Sequence, residues 1–375
     1  MASIRYRSRG KHKLWQFEIR DENGKTLVSQ SGFSTKKEAQ ITGTPLLQEI
    51  LQGGTLNKDM TLPQLYQKWF DLKIKHSKLS PETIDHYLYY KKLLEKHFSK
   101  QSISTIKTSD YQLALNEIGK NIGRDMLGRL NSVVKKIILF AQLDKLMIDN
   151  FAQGAELFSK KESKSIESKF IHSEEDYEKL VSIVKSQFDY NKSVVPYVIY
   201  FLLKTGMRYA ELVALTWKEI KFSEGVIYTY RRYNTKKHLF VPPKNKTSIR
   251  FIPINDECIN ILKQLQSEQE HFNQYLGINN THNLIFQHYG LSDSVPHSAT
   301  TNKAVKKILS ELNIPIITNY GCRHTYGSIL LHRGVPIDIV AKIMGHKDRR
   351  ELIETYGHLL DEAISQEFHE VKKIL

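Results

Sequence analysis

The chain has 375 residues, 40% of them aliphatic or aromatic, which is enough for two or three compact domains with ordinary cores. Lys and Arg outnumber Asp and Glu by 55 to 40, a formal charge of +15. That excess favours a polyanionic partner, because basic groups laid on a duplex release condensed counterions. The two cysteines, Cys258 and Cys322, stand far apart without ligand-spaced neighbours, which argues against a disulfide framework or zinc site and for a reducing cytoplasm. No apolar run nears the roughly 20 residues that span a bilayer.

The opening MASIRYRSRGKHK is basic with no apolar segment behind it, which is not the pattern of a secretory signal. Residues 1–55 read as a small module. Trp15, Phe17 and Ile19 alternate with Gln16 and Glu18 at the period of a half-buried strand. Asn23-Gly24 suits a tight hairpin, and a second strand is expected from Thr26 to Ser31. Thr35-Lys-Lys-Glu38 has the form of a capping box opening a helix towards Leu51, and Gly53-Gly54 reads as its stop. Arg5, Arg7, Arg9, Lys11 and Lys13 crowd the first strand region, so one sheet face is expected to be strongly positive.

Residues 60–160 are helical in pattern. Leu62, Leu65, Tyr66, Trp69 and Phe70 make one apolar stripe. Ser80-Pro81 supplies a cap and a Pro at the first helical position, and Val133, Val134, Ile137, Ile138 and Phe140 mark a further helix. The run 159–169 is polar, charged and aperiodic, as a linker is. Ser173 then caps a helix that begins with Glu174-Glu175-Asp176. Residues 170–375 are expected to be mainly helical with one small sheet, its strands near Val226–Tyr230, Leu239–Val241 and Arg250–Ile254.

Four boxes in this last region carry chemistry. The first is Thr205-Gly206-Met207-Arg208-Tyr209-Ala210-Glu211-Leu212. An arginine near a helix start presents a planar fork to a phosphate, and Glu211 one turn on holds it. The others are Ile317-Thr318-Asn319-Tyr320-Gly321-Cys322-Arg323-His324-Thr325, Met344-Gly345-His346 and Thr355-Tyr356-Gly357-His358. Their order and spacing resemble the tyrosine recombinase (phage-type integrase) family, and the basic stretch 242–253 resembles that family's lysine-bearing β-hairpin.

The resemblance extends over the chain and implies a three-domain, arm-binding integrase of a phage or mobile genetic element. Its parts would be a small α+β domain (three-stranded sheet plus helix) at 1–55 for arm sites, an all-α core-binding domain at 60–160, and a mainly-α catalytic domain with a small antiparallel sheet at 170–375. It implies that Arg208 and Arg323 clamp the scissile phosphate, that Lys244 (nine residues before Pro253, as the family's hairpin has it) is the general acid, and that His346 is a hydrogen-bond donor or proton carrier. Tyr356 would be the nucleophile, with Glu211 and His324 in support. One position departs: the family usually has His three residues before the second arginine, and Tyr320 stands there. A phenol can donate to a phosphate oxygen but is a poor base near neutral pH.

The implied reaction cleaves and rejoins DNA through a 3′-phosphotyrosyl bond, with no cofactor. The implied partners are core and arm DNA sites, three further copies in a tetramer on two duplexes, an excisionase and a host DNA-bending protein. A helix expected over Leu359–Ile374 would dock on a neighbouring copy. Two other readings compete. Ser328–His346, with Gly334-Val335-Pro336 between two apolar-periodic segments, also fits the helix-turn-helix of a transcriptional regulator, which leaves Arg208, the lysine stretch and Tyr356 idle. A type IB topoisomerase shares the covalent chemistry but has no use for an arm-binding module.

Overall fold

The computed structural model describes residues 1–9, 14–51, 60–161, 167–288, 294–350 and 352–353. Tyr356 and the helix expected over 359–374 lie outside them. The chain divides into two compact units, Met1–Ser163 and Lys164–Leu375.

The first unit opens with an antiparallel sheet in the order β1 (Ser3–Arg9), β2 (Leu14–Arg20), β3 (Thr26–Phe33). The turn between β2 and β3 forms because Gly24 takes φ +76° and the Asp21 carboxylate accepts the amides of Asn23 and Lys25 at 2.9 and 2.8 Å. Phe17 and Ile19 are fully buried beneath α1 (Lys36–Leu51). That helix starts as its capping box dictates: the Glu38 amide donates to Thr35 Oγ1 at 3.2 Å, and the Thr35 amide donates to the Glu38 carboxylate at 3.4 Å.

The opposite face of the sheet is polar. Register places Arg5 opposite Glu18, Arg7 opposite Gln16 and Glu18 opposite Ser29, so all point one way. Glu18 is the hub: Arg7 and Arg20 both donate to its carboxylate, and Thr26 Oγ1 does so at 2.8 Å.

The helices α2 (Leu62–Trp69), α3 (Pro81–Phe98), α4 (Thr108–Gly119) and α5 (Arg124–Leu143) follow, with one π-helical turn, Phe70–Ile74, continuing α2. Ser80 Oγ accepts the Thr83 amide at 3.3 Å with Pro81 first in α3. The stripe of Leu62, Leu65, Tyr66, Trp69 and Phe70 packs with Leu94, Leu130, Val134 and Ile138 in one apolar core.

In the second unit the buried axis is α7 (Val195–Thr205), with α6 (Glu174–Ser186), α10 (Ser298–Glu311) and α11 (Asn319–His332) packed on it. Tyr197 through Leu203 are all 0–1% exposed, and each large apolar side chain so buried contributes about 1.5–3 kcal/mol. The short α8 (Tyr209–Leu212) follows α7 directly. Between α8 and α9 (Asp256–Leu276) lie five short strands: β4 (Ile220–Lys221), β5 (Val226–Thr229), β6 (Arg232–Asn234), β7 (Leu239–Val241) and β8 (Arg250–Pro253). They pair as β4-β5-β8 and separately as β6-β7. The helix α12 (Ile337–Met344) packs on α11 and β8.

This is the multidomain class expected: a three-stranded sheet with a helix, then helices alone, then a mainly helical region with small antiparallel sheets. The strand pattern differs in detail. Among the described residues there are two small sheets rather than one, Tyr230 falls beyond the end of β5, and neither β4 nor β6 is among the expected strands. The stretch 242–249 links β7 to β8 across the two sheets instead of forming a hairpin limb. Pro242-Pro243 accounts for this, since neither residue has an amide hydrogen to extend the β6-β7 ladder. No helix among the described residues is long and apolar enough to cross a membrane.

Candidate active site

The site begins where α7 stops. Gly206 takes φ +59°, and a Cβ there would lie 2.2 Å from the Tyr326 ring, so this turn accepts glycine alone. Two residues later Arg208 occupies the N-cap of α8. Its Nη1 donates to Glu211 Oε1 at 2.9 Å and to Ser248 Oγ at 3.3 Å, and its Nη2 reaches the Gly345 carbonyl at 3.4 Å. The side chain is 23% exposed, so part of the guanidinium faces solvent.

Arg323 lies one turn into α11, a helix capped by Thr318, whose hydroxyl accepts the Gly321 amide at 3.4 Å. Only 1% of Arg323 is exposed. Its Nη1 donates to the Gly206 carbonyl at 2.6 Å, and its Nη2 donates to the Met344 carbonyl and meets His346 Nε2 at 3.0 Å. Because a guanidinium only donates, Nε2 accepts and the ring proton of His346 sits on Nδ1. Thr325, two residues on, accepts the Ile171 amide at 3.0 Å and fixes the start of the unit against α11.

A third arginine, missed in the sequence, completes the cluster. Arg250 on β8 donates through Nε to the Ile343 carbonyl at 2.6 Å, through Nη1 to the Ser248 carbonyl at 3.0 Å and through Nη2 to Glu211 Oε2 at 3.0 Å. The guanidiniums of Arg250, Arg323 and Arg208 thus meet the successive carbonyls of residues 343, 344 and 345. The end of α12 is the negative end of its dipole, which favours cations there. Thr247 Oγ1 donates to the same Gly345 carbonyl at 3.2 Å, docking the 246–248 turn on the cluster.

Among the described residues the cluster is short of negative charge. Three guanidiniums share one carboxylate, Glu211, which is 1% exposed. Burial alone would raise the Glu211 carboxyl, but Arg250 and then Arg208 outweigh it, and the group is held below the usual carboxylate range. Burial, then Arg208 and Arg250, push the Arg323 guanidinium down to about 9. An anion placed here would relieve that repulsion.

Arg208, Glu211, Arg323 and His346 are therefore brought together. Lys244 is exposed in the β7–β8 connection and makes no hydrogen bond or ion pair with a described residue. It directly precedes Asn245, whose Oδ1 accepts from Ser248 Oγ at 2.7 Å, so its segment is tied to the turn that Arg208 touches. Tyr320 is 54% exposed on the first turn of α11, its ring edge-on to His324 at 4.4 Å. His324 lies between that ring and Phe170, whose centroid is 6.3 Å away. Tyr356 lies outside the described residues. The two segments that suggested a helix-turn-helix are α11 and α12. Ten residues around the whole circumference of α11 are buried, so it is a core helix.

Known proteins resemble this chain over most of its length. The model of the phage integrase family matches residues 171–363. A XerC-like tyrosine recombinase of Caldanaerobacter subterraneus subsp. tengcongensis is 26% identical over 369 residues, covering 91% of this chain and 90% of its own. The Tn1549 transposon integrase, solved in complex with transposon right end DNA, superposes with a TM-score of 0.67 at 20% identity, over 84% of this chain and all of that one. The lambda integrase, solved as a tetramer bound to a Holliday junction, gives 0.57 at 13% identity over 90% and 91% of the two chains. At these identities the two structures speak for the fold alone.

Proposed function

This chain belongs to the phage integrase family, the site-specific tyrosine recombinases, and from that premise we propose how its own residues divide the reaction. Arg208 and Arg323 hold the two nonbridging oxygens of a scissile phosphate and neutralise the charge that grows there during attack. Tyr356 attacks phosphorus in line. The leaving 5′ oxygen takes a proton from Lys244, whose ammonium is free to move. The 3′-phosphotyrosyl bond keeps the energy of the phosphodiester, so a 5′ hydroxyl from another duplex can reverse the step. His346 hydrogen-bonds the phosphate or carries a proton, Tyr320 donates from its exposed hydroxyl, and Glu211 and His324 support from behind.

What supports this reading is the cluster of three guanidiniums about a single carboxylate at the end of α12.

The domain assignment follows the same reading. Residues 1–55 bind arm sites through the arginine face of β1–β3, residues 60–160 grip the core site, and residues 170–375 carry the chemistry. The working assembly is a tetramer on two duplexes, as lambda integrase forms on a Holliday junction, serving a mobile element as the Tn1549 enzyme does. An excisionase and a host DNA-bending protein set direction and join arm to core, and the protein works at the nucleoid in the cytoplasm.

The test is a duplex nicked beside the cleavage position, so that the short fragment diffuses away. Incubated with chelator, the wild-type protein accumulates a covalent protein–DNA complex and Tyr356→Phe accumulates none. Equal trapping by the two proteins would remove Tyr356 from its role.

A further inference from the structure

The geometry points to Arg250 as a positioning residue for strand cleavage: it holds the Glu211 carboxylate, and through it the Arg208 guanidinium, in the orientation that meets the scissile phosphate. The inference rests on the reading of Arg208 as a phosphate ligand.

A donor inventory separates Arg250 from Arg208. All three of its nitrogens are committed inside the protein, to the Ile343 carbonyl, the Ser248 carbonyl and Glu211 Oε2. Its side chain is 5% exposed, against 23% for Arg208. With each nitrogen bonded inside the protein and one of them on Glu211, this guanidinium is placed to fix the carboxylate that holds Arg208. It joins three elements that carry site residues: the 246–248 turn with Ser248, the end of α12 before His346, and α8 with Glu211.

Glu211 divides its two oxygens accordingly. Oε1 takes Arg208 Nη1, while Oε2 takes Arg250 Nη2 and, at 3.3 Å, the Arg208 amide. Without Arg250 the carboxylate stays buried with one guanidinium on it, and burial then favours its protonated form. A protonated Glu211 holds Arg208 weakly, and a small misplacement of a phosphate ligand costs rate steeply. The charged and titratable groups facing Glu211 are Arg208 at the head of α8, Arg250 on β8 and Arg323 on α11. Tyr326 on α11 faces Arg250, and His346 past α12 touches Arg323. His346 is common to wild type and variants, and following the Glu211 carboxyl directly reads the effect of Arg250.

The experiment compares full-length wild type, Arg250→Gln and Arg250→Lys in two ways. Carbon-13 labelling of glutamate follows the Glu211 carboxyl through a pH titration. Covalent trapping uses a nicked duplex whose core sequence the wild-type protein has first selected from a random pool. In Arg250→Gln the Glu211 carboxyl titrates at higher pH than in wild type. Covalent complex forms on the order of 10²-fold more slowly near about pH 6, and much of the loss is recovered as pH rises and Glu211 ionises. Arg250→Lys keeps the charge but not the fork, leaves Glu211 ionised and loses less. If Arg250→Gln does not fold, the lysine variant tests the fork alone: it forms covalent complex more slowly than wild type with the Glu211 titration unchanged, and a wild-type rate overturns the proposal.

The proposal is overturned by a variant that folds, leaves the Glu211 titration where it was and cleaves at the wild-type rate. A loss that is the same at every pH and simply follows melting temperature overturns it too. A wild-type protein that never forms covalent complex sinks the functional reading and this inference together, whereas a cleaving wild type beside an indifferent variant sinks the inference alone.

Discussion

At the scale of single residues, the cluster around Glu211 has the charge of an anion site. Burial together with Arg208 and Arg250 works against the charge on Arg323, so a bound anion stabilises the folded state. Inorganic phosphate at about ten times its dissociation constant adds roughly 1.4 kcal/mol. A thermal shift against chloride at matched ionic strength measures it. Wild type gains and Arg208→Gln and Arg323→Gln do not; equal gains in all three would place the anion elsewhere. Gly206 offers a separate test, because its φ of +59° and the nearby Tyr326 ring exclude a Cβ. Gly206→Ala is expected to destabilise the second unit by about 2–4 kcal/mol in denaturant unfolding, from left-handed strain plus overpacking; a change within experimental error contradicts that packing. The motif residues of this site were legible in sequence because short spacing sets their local geometry, as with Arg208 and Glu211 at one helical turn. Arg250 was not singled out, although β8 carried the clue. Ile252 must face inward, so Arg250 two residues earlier shares its face, and Phe251 between them is 53% exposed. What calls a buried arginine to that position is a carboxylate from α8, and no local pattern announces it.

At the scale of elements, the legible features were those built from neighbouring residues. The caps at Thr35, Ser80 and Ser173 lie within three residues of the amides they receive. The strands of the second unit were read less well, since β6 is three residues long and its pairing with β7 depends on side chains from elsewhere. Arg231, just before β6, lies 3.9 Å from the Phe240 ring centroid and bonds Glu219 at 3.2 Å. The proline pair at 242–243 was visible, but its effect of parting two sheets was not. The outer face of β1–β3 supports a prediction of its own. The Thr26 hydroxyl, then Arg20, with Arg7 in addition, hold the Glu18 carboxyl at about 2, against an ordinary value of 4.5. A depressed carboxyl stabilises the fold above its unfolded value and ceases to do so as pH falls towards the folded one. The sheet module should therefore lose stability between pH 4.5 and about 2, and Glu18→Gln should flatten that part of the curve. Circular dichroism melts across this range read both, and an unaltered acid slope in the variant tells against the hub.

At the scale of the whole molecule, the charge of +15 is divided between two units that use it differently. In the first, Arg7 and Arg20 are one-third exposed and ordered by Glu18. In the second, the decisive arginines are buried or half-buried and meet the end of α12. Affinity for duplex should therefore fall steeply with salt, by on the order of 10³-fold between 50 and 200 mM if six or more phosphates are contacted. Fluorescence anisotropy at a series of salt concentrations reads the slope, and a flat one would exclude phosphate neutralisation as the source of binding. The central claim, that side chains from distant stretches of the second unit converge on one backbone phosphate, is tested most directly by solving the trapped covalent complex. The account predicts phosphorus bonded to the Tyr356 oxygen with the guanidiniums of Arg208 and Arg323 within hydrogen-bond reach of its nonbridging oxygens. A phosphate carried by any other residue, or lying away from both arginines, would contradict it.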